Sequence, residues 1–156
     1  MQTLDSFNAS DLRGLVGIFT DIDDTLTTEG AITPDALQAL SDLKAAGMHV
    51  IPITGRPIGW CERFMSGAAH PAWPVNAMVA ENGAVAFVPD SRASGSIRKI
   101  YQQDAVTRTA NQVRMQGIAD QVAAQVPGVG LSQDSTGRET DLAFDYAEFA
   151  HHSPET

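Results

Sequence analysis

Short, largely apolar runs alternate with amphipathic segments over the first half of the chain. Three such runs, each bounded by polar residues, have the pattern of buried strands: residues 15–20, 49–53 and 75–79. A helix is predicted between the first two runs, because Thr33 can cap it, Pro34 suits its first turn and Gly47 can end it. A shorter helix is predicted over residues 58–65. This alternation is typical of an α/β protein with a doubly wound parallel sheet.

The pattern changes after the third predicted strand. Asn82-Gly83 lies between two apolar runs, which is a hairpin signal, and it predicts a fourth strand over residues 84–88. Residues 90–96 are polar and contain glycine, as is common in linkers. We therefore predict a core domain over residues 1–89 and the beginning of a second unit after it.

The second half of the chain has its own pattern. Apolar residues at helical spacing predict a helix over residues 104–126, which ends before Pro127-Gly128. In residues 141–146 larger apolar side chains alternate with small or polar ones, which predicts a strand with one apolar face. Together these elements predict part of a second α/β unit over residues 90–156.

The composition is that of a globular protein with an acidic excess. A hydrophobic fraction of 43% supports a buried core, while 19 acidic and 10 basic residues give a net charge of −9. This charge repels nucleic acids and anionic membranes, so we expect neither as a partner. Cys61 is the only cysteine, which excludes an internal disulfide and fits a reducing compartment. Because residues 1–13 lack the features of a secretory signal and no run is long enough to span a bilayer, we expect a cytoplasmic protein.

Two carboxylates follow the first predicted strand. Asp21 and Asp23 come at the sheet edge where open α/β proteins bind ligands. Residues two apart in extended backbone point the same way, so both carboxylates can face one site. Such a pair needs a cation or a shared proton to relieve its repulsion. Both remedies suit phosphoryl transfer, in which Mg²⁺ holds a phosphate against one carboxylate while the other group protonates the leaving alcohol.

Thr54-Gly55 supplies the context that an isolated pair of carboxylates lacks. Alone, the Asp21–Asp23 pattern also fits an acidic surface turn that caps a helix. Thr54 and Gly55 follow the second predicted strand, whose end we expect beside that of the first. Thr54 offers a hydroxyl, and Gly55 a close backbone N–H, to a phosphate oxygen. The sequence thus predicts a phosphate site shared by two strand ends.

These motifs resemble the opening of phosphatases of the haloacid dehalogenase superfamily. The resemblance rests on Asp21-Ile22-Asp23-Asp24-Thr25-Leu26 after an apolar strand and on Thr54-Gly55-Arg56 after the next one. Glu81-Asn82-Gly83-Ala84 is similar to the large-cap subgroup, which includes Cof-type sugar phosphatases, trehalose and sucrose phosphate phosphatases, and phosphomannomutases. The resemblance covers residues 15–88 well and residues 97–149 loosely.

The resemblance implies a Mg²⁺-dependent hydrolase of a small phosphorylated metabolite, such as a sugar phosphate, with a Rossmann-like core. It implies that Asp21 is the nucleophile that forms an aspartyl-phosphate and is also a metal ligand. It implies that Asp23 is the general acid and base, with its backbone carbonyl on the metal. Thr54 and Gly55 would bind the phosphate. Arg56 and Asn82 can each touch the substrate or hold the loop in place. For both residues we expect the structural role.

The chain departs from the family pattern in two places. The family has a lysine, usually past the cap, and a later acidic loop that completes the metal site. Here the only lysines are Lys44 and Lys99, and no such loop follows residue 146. We therefore expect an incomplete core and an incomplete cap, as in a truncated protein. The alternative is a compact enzyme without a cap, in which Asp141 and Asp145 hold the metal at a spacing that some members use.

Three further outcomes stay open. A phosphomutase would form the same intermediate and pass its phosphate to a second hydroxyl group. A non-catalytic binding module would keep the fold without the activity, which suits the missing lysine and acidic loop, although Asp21, Asp23 and Thr54 weigh against it. An incomplete sheet also leaves an unpaired edge, which can drive association into a homo-oligomer.

Overall fold

The computed structural model describes residues 14–66, 72–92 and 95–145. In chain order its elements are β1 (Gly17–Thr20), β2 (Thr27–Thr28), β3 (Ala31–Ile32), α1 (Pro34–Ala45), β4 (His49–Pro52), α2 (Ile58–Ser66), β5 (Met78–Ala80), β6 (Val85–Pro89), β7 (Ile97–Tyr101), α3 (Ala105–Gln125), β8 (Gly130–Leu131) and β9 (Phe144–Asp145). The predictions that concern residues 1–13, the linker residues 93–94, the strand end at Tyr146 and the outer parts of the two predicted units, 1–89 and 90–156, lie wholly or partly outside the described residues.

Strands β1, β4 and β5 form the parallel part of the sheet. β1 pairs with β4 in a register that sets Ile18 opposite Val50. β4 is joined to β5 by a parallel bridge between Ile53 and Val79, in which the Thr54 N–H donates to the Val79 carbonyl at 2.9 Å. The predicted α/β class with parallel strands is confirmed. This topology brings the carboxyl ends of the three strands to one edge, where the motif residues follow.

The hairpin predicted at Asn82-Gly83 is present. β5 and β6 pair antiparallel across a 3₁₀ turn, Glu81–Gly83, in which all three residues have positive φ angles of 50°, 55° and 96°. β7 then pairs antiparallel with β6 along five positions and was not predicted. The partly buried positions of β7 include Lys99, so the sequence lacks the alternation of apolar and polar residues that predicts a strand. The sheet therefore extends to Tyr101, and the domain boundary at residue 89 stays a prediction.

Helix α1 begins where its predicted capping residue lies, and Asp104, predicted as the first residue of the long helix, caps α3 instead. The Thr33 hydroxyl accepts a hydrogen bond from the Ala36 N–H at 3.4 Å, and Gly47, with a φ of 83°, follows the end of α1. The Asp104 carboxylate accepts one from the Thr107 N–H at 2.9 Å and begins α3. Each side chain satisfies a backbone donor that has no partner within its helix.

The core joins apolar residues of the sheet with residues of α1 and α2. Its fully buried members include Val50, Leu40 and Cys61, and Phe64 stacks on Trp73 with ring centroids 4.3 Å apart. Burial raises the pKa of the Cys61 thiol to about 12, with the nearby carboxylates of Asp23 and Glu81 adding to the effect. Cys61 is therefore a protonated core residue at neutral pH. None of the helices in the described ranges has the length and apolar character needed to cross a membrane.

Candidate active site

A pocket of about 370 Å³ opens at the carboxyl edge of the parallel strands. Its lining comes from two distant parts of the chain: Asp21, Asp23, Thr54, Gly55 and Arg56 from the strand ends, and Ser132, Asp134, Arg138, Ala143, Phe144 and Asp145 from the C-terminal part. The structure thus brings five of the six predicted site residues to one pocket. The sixth, Asn82, lines an adjoining pocket of about 390 Å³ that also includes Asp21, Thr54 and Gly55.

The turn after β1 directs Asp21 and Asp23 into the pocket. Ile22 between them is fully buried, and its carbonyl accepts hydrogen bonds from the N–H groups of Thr25, Leu26 and Thr27 at 2.9 to 3.3 Å. With Ile22 anchored in the core, the Asp21 and Asp23 side chains on either side of it both line the pocket. Asp21 is exposed and Asp23 is half-buried.

Thr54 and Gly55, at the end of β4, line the pocket beside the two aspartates. Thr54 is only 7% exposed, and its hydroxyl oxygen accepts a hydrogen bond from the Arg56 N–H at 3.1 Å. Its own hydrogen can therefore be donated to a bound oxyanion. A Cβ atom at Gly55 would lie 2.9 Å from Oδ1 of Asn82, so only glycine fits at this position without a shift of Asn82. Asn82 thus packs against the backbone of the Thr54-Gly55 loop.

Arg56 reaches back to Asp23. Its Nε donates to Oδ2 of Asp23 at 3.2 Å and its Nη2 donates to Oδ1 at 3.4 Å, a two-pronged pairing that fixes the carboxylate. The guanidinium also lies 5.6 Å from the centre of the Trp60 ring and 4.0 Å from the Asp134 carboxylate. In this arrangement Arg56 orients a pocket carboxylate.

Residues 132–145 close the pocket from the opposite side. Arg138, whose side chain is 8% exposed, donates to the carboxylates of Asp134 at 3.0 Å and Asp141 at 2.8 Å, and to the Gly55 carbonyl at 3.3 Å. Burial raises the pKa of Asp134, but the hydrogen bonds from Arg138 and Ser132 outweigh it and hold that pKa below its usual value. Sequence reasoning missed Arg138 and Asp134, although the acidic residues four before and three after Arg138 are a signal of local ion pairing.

Glu81 ties this segment to the core. It is 1% exposed, and its carboxylate accepts hydrogen bonds from the N–H groups of Ile58 at 3.3 Å, Glu139 at 2.9 Å and Thr140 at 2.6 Å. The Thr140 hydroxyl donates to it as well. Since Ile58 is the first residue of α2, the negative charge also lies at the favourable end of that helix. Sequence analysis gave Glu81 no role.

The two aspartates of the compact alternative are placed differently. Asp141 accepts hydrogen bonds on both oxygens from Arg138, and from Asn82 at 3.3 Å. Asp145 is buried and lines the pocket together with Asp21 and Asp23. Within the described residues, no three acidic, histidine or cysteine side chains converge as a ready metal site. Mg²⁺ needs only one or two protein carboxylates besides phosphate and water oxygens, so the Asp21 carboxylate together with the backbone carbonyl of Asp23 fits it by donor chemistry.

Neither lysine of the chain lines the pocket. Lys44 donates to the Val75 carbonyl at 3.3 Å. Lys99 pairs with Glu62 at 3.1 Å and with Glu139. Burial lowers the pKa of Lys99, but its hydrogen bonds to the two carboxylates outweigh it and raise that pKa above its usual value. The partners of Lys99 are therefore the carboxylates of Glu62 and Glu139, and its side chain does not reach the pocket.

Comparison with known proteins agrees with this architecture. The family model of haloacid dehalogenase-like hydrolases matches residues 18–127. A solved structure from Thermoplasma acidophilum superposes with a TM-score of 0.56 at 19% identity, over 88% of this chain and 51% of the other. The ATP-bound IMP-nucleotidase of Plasmodium falciparum gives 0.52 at 9% identity, over 89% and 37%. A subclass IIB sugar phosphatase gives 0.47 at 22% identity, over 71% and 37%.

These likenesses concern the fold. The chain spans about half the length of the Thermoplasma protein and less of the other two. A search of curated proteins gave no significant match.

Proposed function

The chain belongs to the haloacid dehalogenase-like hydrolases, and we propose that it carries the nucleophile half of a phosphatase for a small phosphate monoester. The observation that carries the proposal is the convergence of Asp21, Asp23, Thr54 and Gly55 on one pocket. A sugar phosphate is the proposed substrate class, because the Glu81-Asn82-Gly83 motif resembles the large-cap subgroup. We further propose that the protein acts in the cytoplasm, as its single buried cysteine suits a reducing compartment.

In the proposed first step, Asp21 attacks phosphorus. A bond forms between its carboxylate oxygen and phosphorus while the bond from phosphorus to the substrate oxygen breaks, and Asp23 gives its proton to the departing alcohol. In the second step, water attacks the aspartyl-phosphate and Asp23 takes the proton from that water, which restores both carboxyl groups and releases phosphate. Thr54 and the Gly55 N–H hold the phosphate oxygens throughout.

A cation is needed because the pocket gathers negative charge. Asp21 would hold Mg²⁺ through its carboxylate and Asp23 through its backbone carbonyl, and the ion would supply positive charge to the phosphate oxygens. The chain itself contributes hydrogen-bond donors from Thr54 and the loop, together with a rigid Asp23. Without a lysine at the pocket, we expect residues 1–156 alone to turn over substrate near background, since electrostatic stabilisation is commonly the largest catalytic contribution.

The proposal is tested by the Mg²⁺-dependent hydrolysis of p-nitrophenyl phosphate and a panel of hexose phosphates. The assay is run on residues 1–156 and on any longer open reading frame that contains them, with EDTA as the control. Release of phosphate supports a phosphatase, and transfer to a second hydroxyl of the sugar would instead identify a phosphomutase. Absence of any turnover in both forms would favour a non-catalytic binding module.

The compact, capless phosphatase is the second candidate, and the position of Asp145 beside Asp21 and Asp23 favours it. If it is right, robust turnover by residues 1–156 should need about tenfold more Mg²⁺ in both Asp141→Asn and Asp145→Asn. We expect Asp141→Asn to have little effect on the Mg²⁺ requirement, because Arg138 already occupies both Asp141 oxygens. The Mg²⁺ concentration at half-maximal rate, measured for both variants, distinguishes the compact phosphatase from the first proposal.

Arg56 offers a test of the role of Asp23. We expect Arg56→Gln to lower kcat by about 10- to 100-fold with little change in KM, because an Asp23 without its two-pronged partner is misplaced for proton transfer. Arg56→Lys keeps the charge, so its kcat should lie between those of Arg56→Gln and the unmodified protein. Arg63→Gln is the matched control, because Arg63 also lies over the Trp60 ring, at 5.0 Å, but does not bind Asp23. Equal losses in Arg56→Gln and Arg63→Gln would contradict the assignment.

A further inference from the structure

A second polar pocket, of about 190 Å³, lies beside the beginning of α3 and shares no residue with the catalytic pocket. Its lining combines two guanidiniums, three carboxamides and a hydroxyl with two smaller contributions: Arg108, Arg114, Gln102, Gln103, Asn111, Thr140, Ala84 and Met115. No carboxylate is among them, although acidic residues outnumber basic ones in the chain. The pocket therefore concentrates positive charge in a protein whose net charge is negative.

Hydrogen bonds within the pocket engage three of its oxygen acceptors. The Gln103 backbone carbonyl accepts from Nη1 of Arg108 at 2.8 Å, and the Gln103 side-chain oxygen accepts from Nδ2 of Asn111 at 2.9 Å. The Asn111 side-chain oxygen in turn accepts from Nη1 of Arg114 at 3.5 Å. The groups that remain include the N–H donors of the Gln103 amide and the other guanidinium hydrogens, together with the Gln102 carboxamide, which can donate or accept. Such a set recognises an oxyanion.

The Arg108 guanidinium is fixed before any ligand arrives. It lies 3.6 Å from the centre of the Tyr101 ring, and that ring is held through its hydroxyl by Glu139. The backbone of Gln102 is anchored as well, because its N–H donates to the Ala84 carbonyl at 3.0 Å. A side chain that is already ordered loses less conformational entropy when it binds.

Within the described ranges, Arg108 and Arg114 differ from three other basic residues of the fold in their lack of a carboxylate partner. Arg56, Arg138 and Lys99 each pair with carboxylates. In the described part of the chain, no carboxylate oxygen lies within 4.0 Å of the Arg108 or Arg114 guanidinium nitrogens. Guanidinium groups pair with phosphate and carboxylate more strongly than with neutral acceptors.

We propose that this pocket binds a small oxyanion, a phosphate or a carboxylate group, at a site separate from the catalytic centre. Its volume exceeds that of several water molecules, each of which occupies roughly 30 Å³ in the liquid, and suits a group of this size. The site does not depend on the proposed phosphatase activity. An anion there would contact Thr140, the residue that Glu81 anchors beside the catalytic pocket.

The test is a site-resolved titration of the ¹⁵N-labelled chain with inorganic phosphate and, separately, with succinate. We expect the side-chain amide signals of Gln103 and Asn111 to shift with at least one of the two, and the tighter anion identifies the class. Arg114→Gln should weaken this binding by about tenfold or more. Arg98→Gln, which removes an exposed arginine outside the pocket, should change it by less than about twofold.

Three results would overturn the proposal. Shifts confined to the Thr54-Gly55 loop would mean that only the catalytic pocket binds the anion. Equal weakening by Arg114→Gln and Arg98→Gln would mean a diffuse effect of charge. Absence of shifts at anion concentrations up to roughly 50 mM, where even a binding energy of a few kcal/mol gives occupancy, would leave the pocket without a ligand of this class.

Discussion

Asp21→Asn is expected to lower the turnover of p-nitrophenyl phosphate by roughly five to six orders of magnitude in any form of the protein that hydrolyses it. The carboxamide has nearly the same shape as the carboxylate but cannot attack phosphorus to form an acyl-phosphate. Asp21 is exposed at the pocket, so the substitution should leave the fold unchanged. The measurement is kcat at saturating Mg²⁺, with the circular dichroism spectrum as the check on folding.

Asp24→Asn is the matched control for this experiment. Asp24 lies three residues away, is exposed and does not line the pocket. Its φ of 56° is in the left-handed region, which asparagine tolerates as well as aspartate does. We expect its turnover to stay within about threefold of the unmodified protein, as for a surface position. An Asp21→Asn protein that keeps more than about a tenth of its turnover would rule Asp21 out as the nucleophile.

The pocket's strand-end residues could be predicted because local patterns determine where they lie. Asp21 and Thr54 each follow a short apolar strand, and parallel strands joined by a helix place their carboxyl ends at one edge. The structure brings them together as that rule requires. The hairpin at Asn82-Gly83 was equally accessible, since its turn needs positive φ angles that these residues adopt readily.

The other wall of the pocket could not be predicted from local patterns. Arg138 meets the Gly55 carbonyl, and Glu81 meets Glu139 and Thr140, across more than fifty residues of chain. No periodicity encodes a contact between a buried carboxylate and distant backbone N–H groups. Strand β7 was not predicted for a different reason. Lys99 occupies an inward position where an apolar residue would indicate a strand.

The expected association into oligomers stays a prediction, and β1 is where it would be tested. Val16 and Phe19 at this strand are more than two thirds exposed. Among the described residues, no strand pairs with the edge of β1 that faces away from β4. An exposed apolar edge strand favours pairing with another segment, whether it belongs to the same protein or to a second copy.

The anchoring role of Glu81 predicts a large loss of stability. Glu81→Ala leaves the N–H groups of Ile58, Glu139 and Thr140 and the Thr140 hydroxyl without their acceptor inside the protein. Removing one partner of such a buried, charge-assisted network costs about 3–5 kcal/mol, which is a major part of the stability of an ordinary domain. Residues 139–140 should also separate from α2, since this carboxylate joins them. The free energy of unfolding in urea measures the first effect, and amide hydrogen exchange of Glu139 and Thr140 measures the second.

Two variants make this last prediction decisive. Glu62→Ala removes a half-exposed carboxylate that pairs with Lys99 at 3.1 Å, so it should cost less than about 1 kcal/mol. Glu81→Gln keeps the shape and one acceptor oxygen, and its loss should lie between those of Glu62→Ala and Glu81→Ala. Both Glu81 variants retain a Cβ at a φ of 50°, so the backbone strain is the same in each and cannot produce the difference. If Glu81→Ala were no more destabilising than Glu62→Ala, or if hydrogen exchange of Glu139 and Thr140 were unchanged, Glu81 would not be the anchor of the segment that closes the pocket.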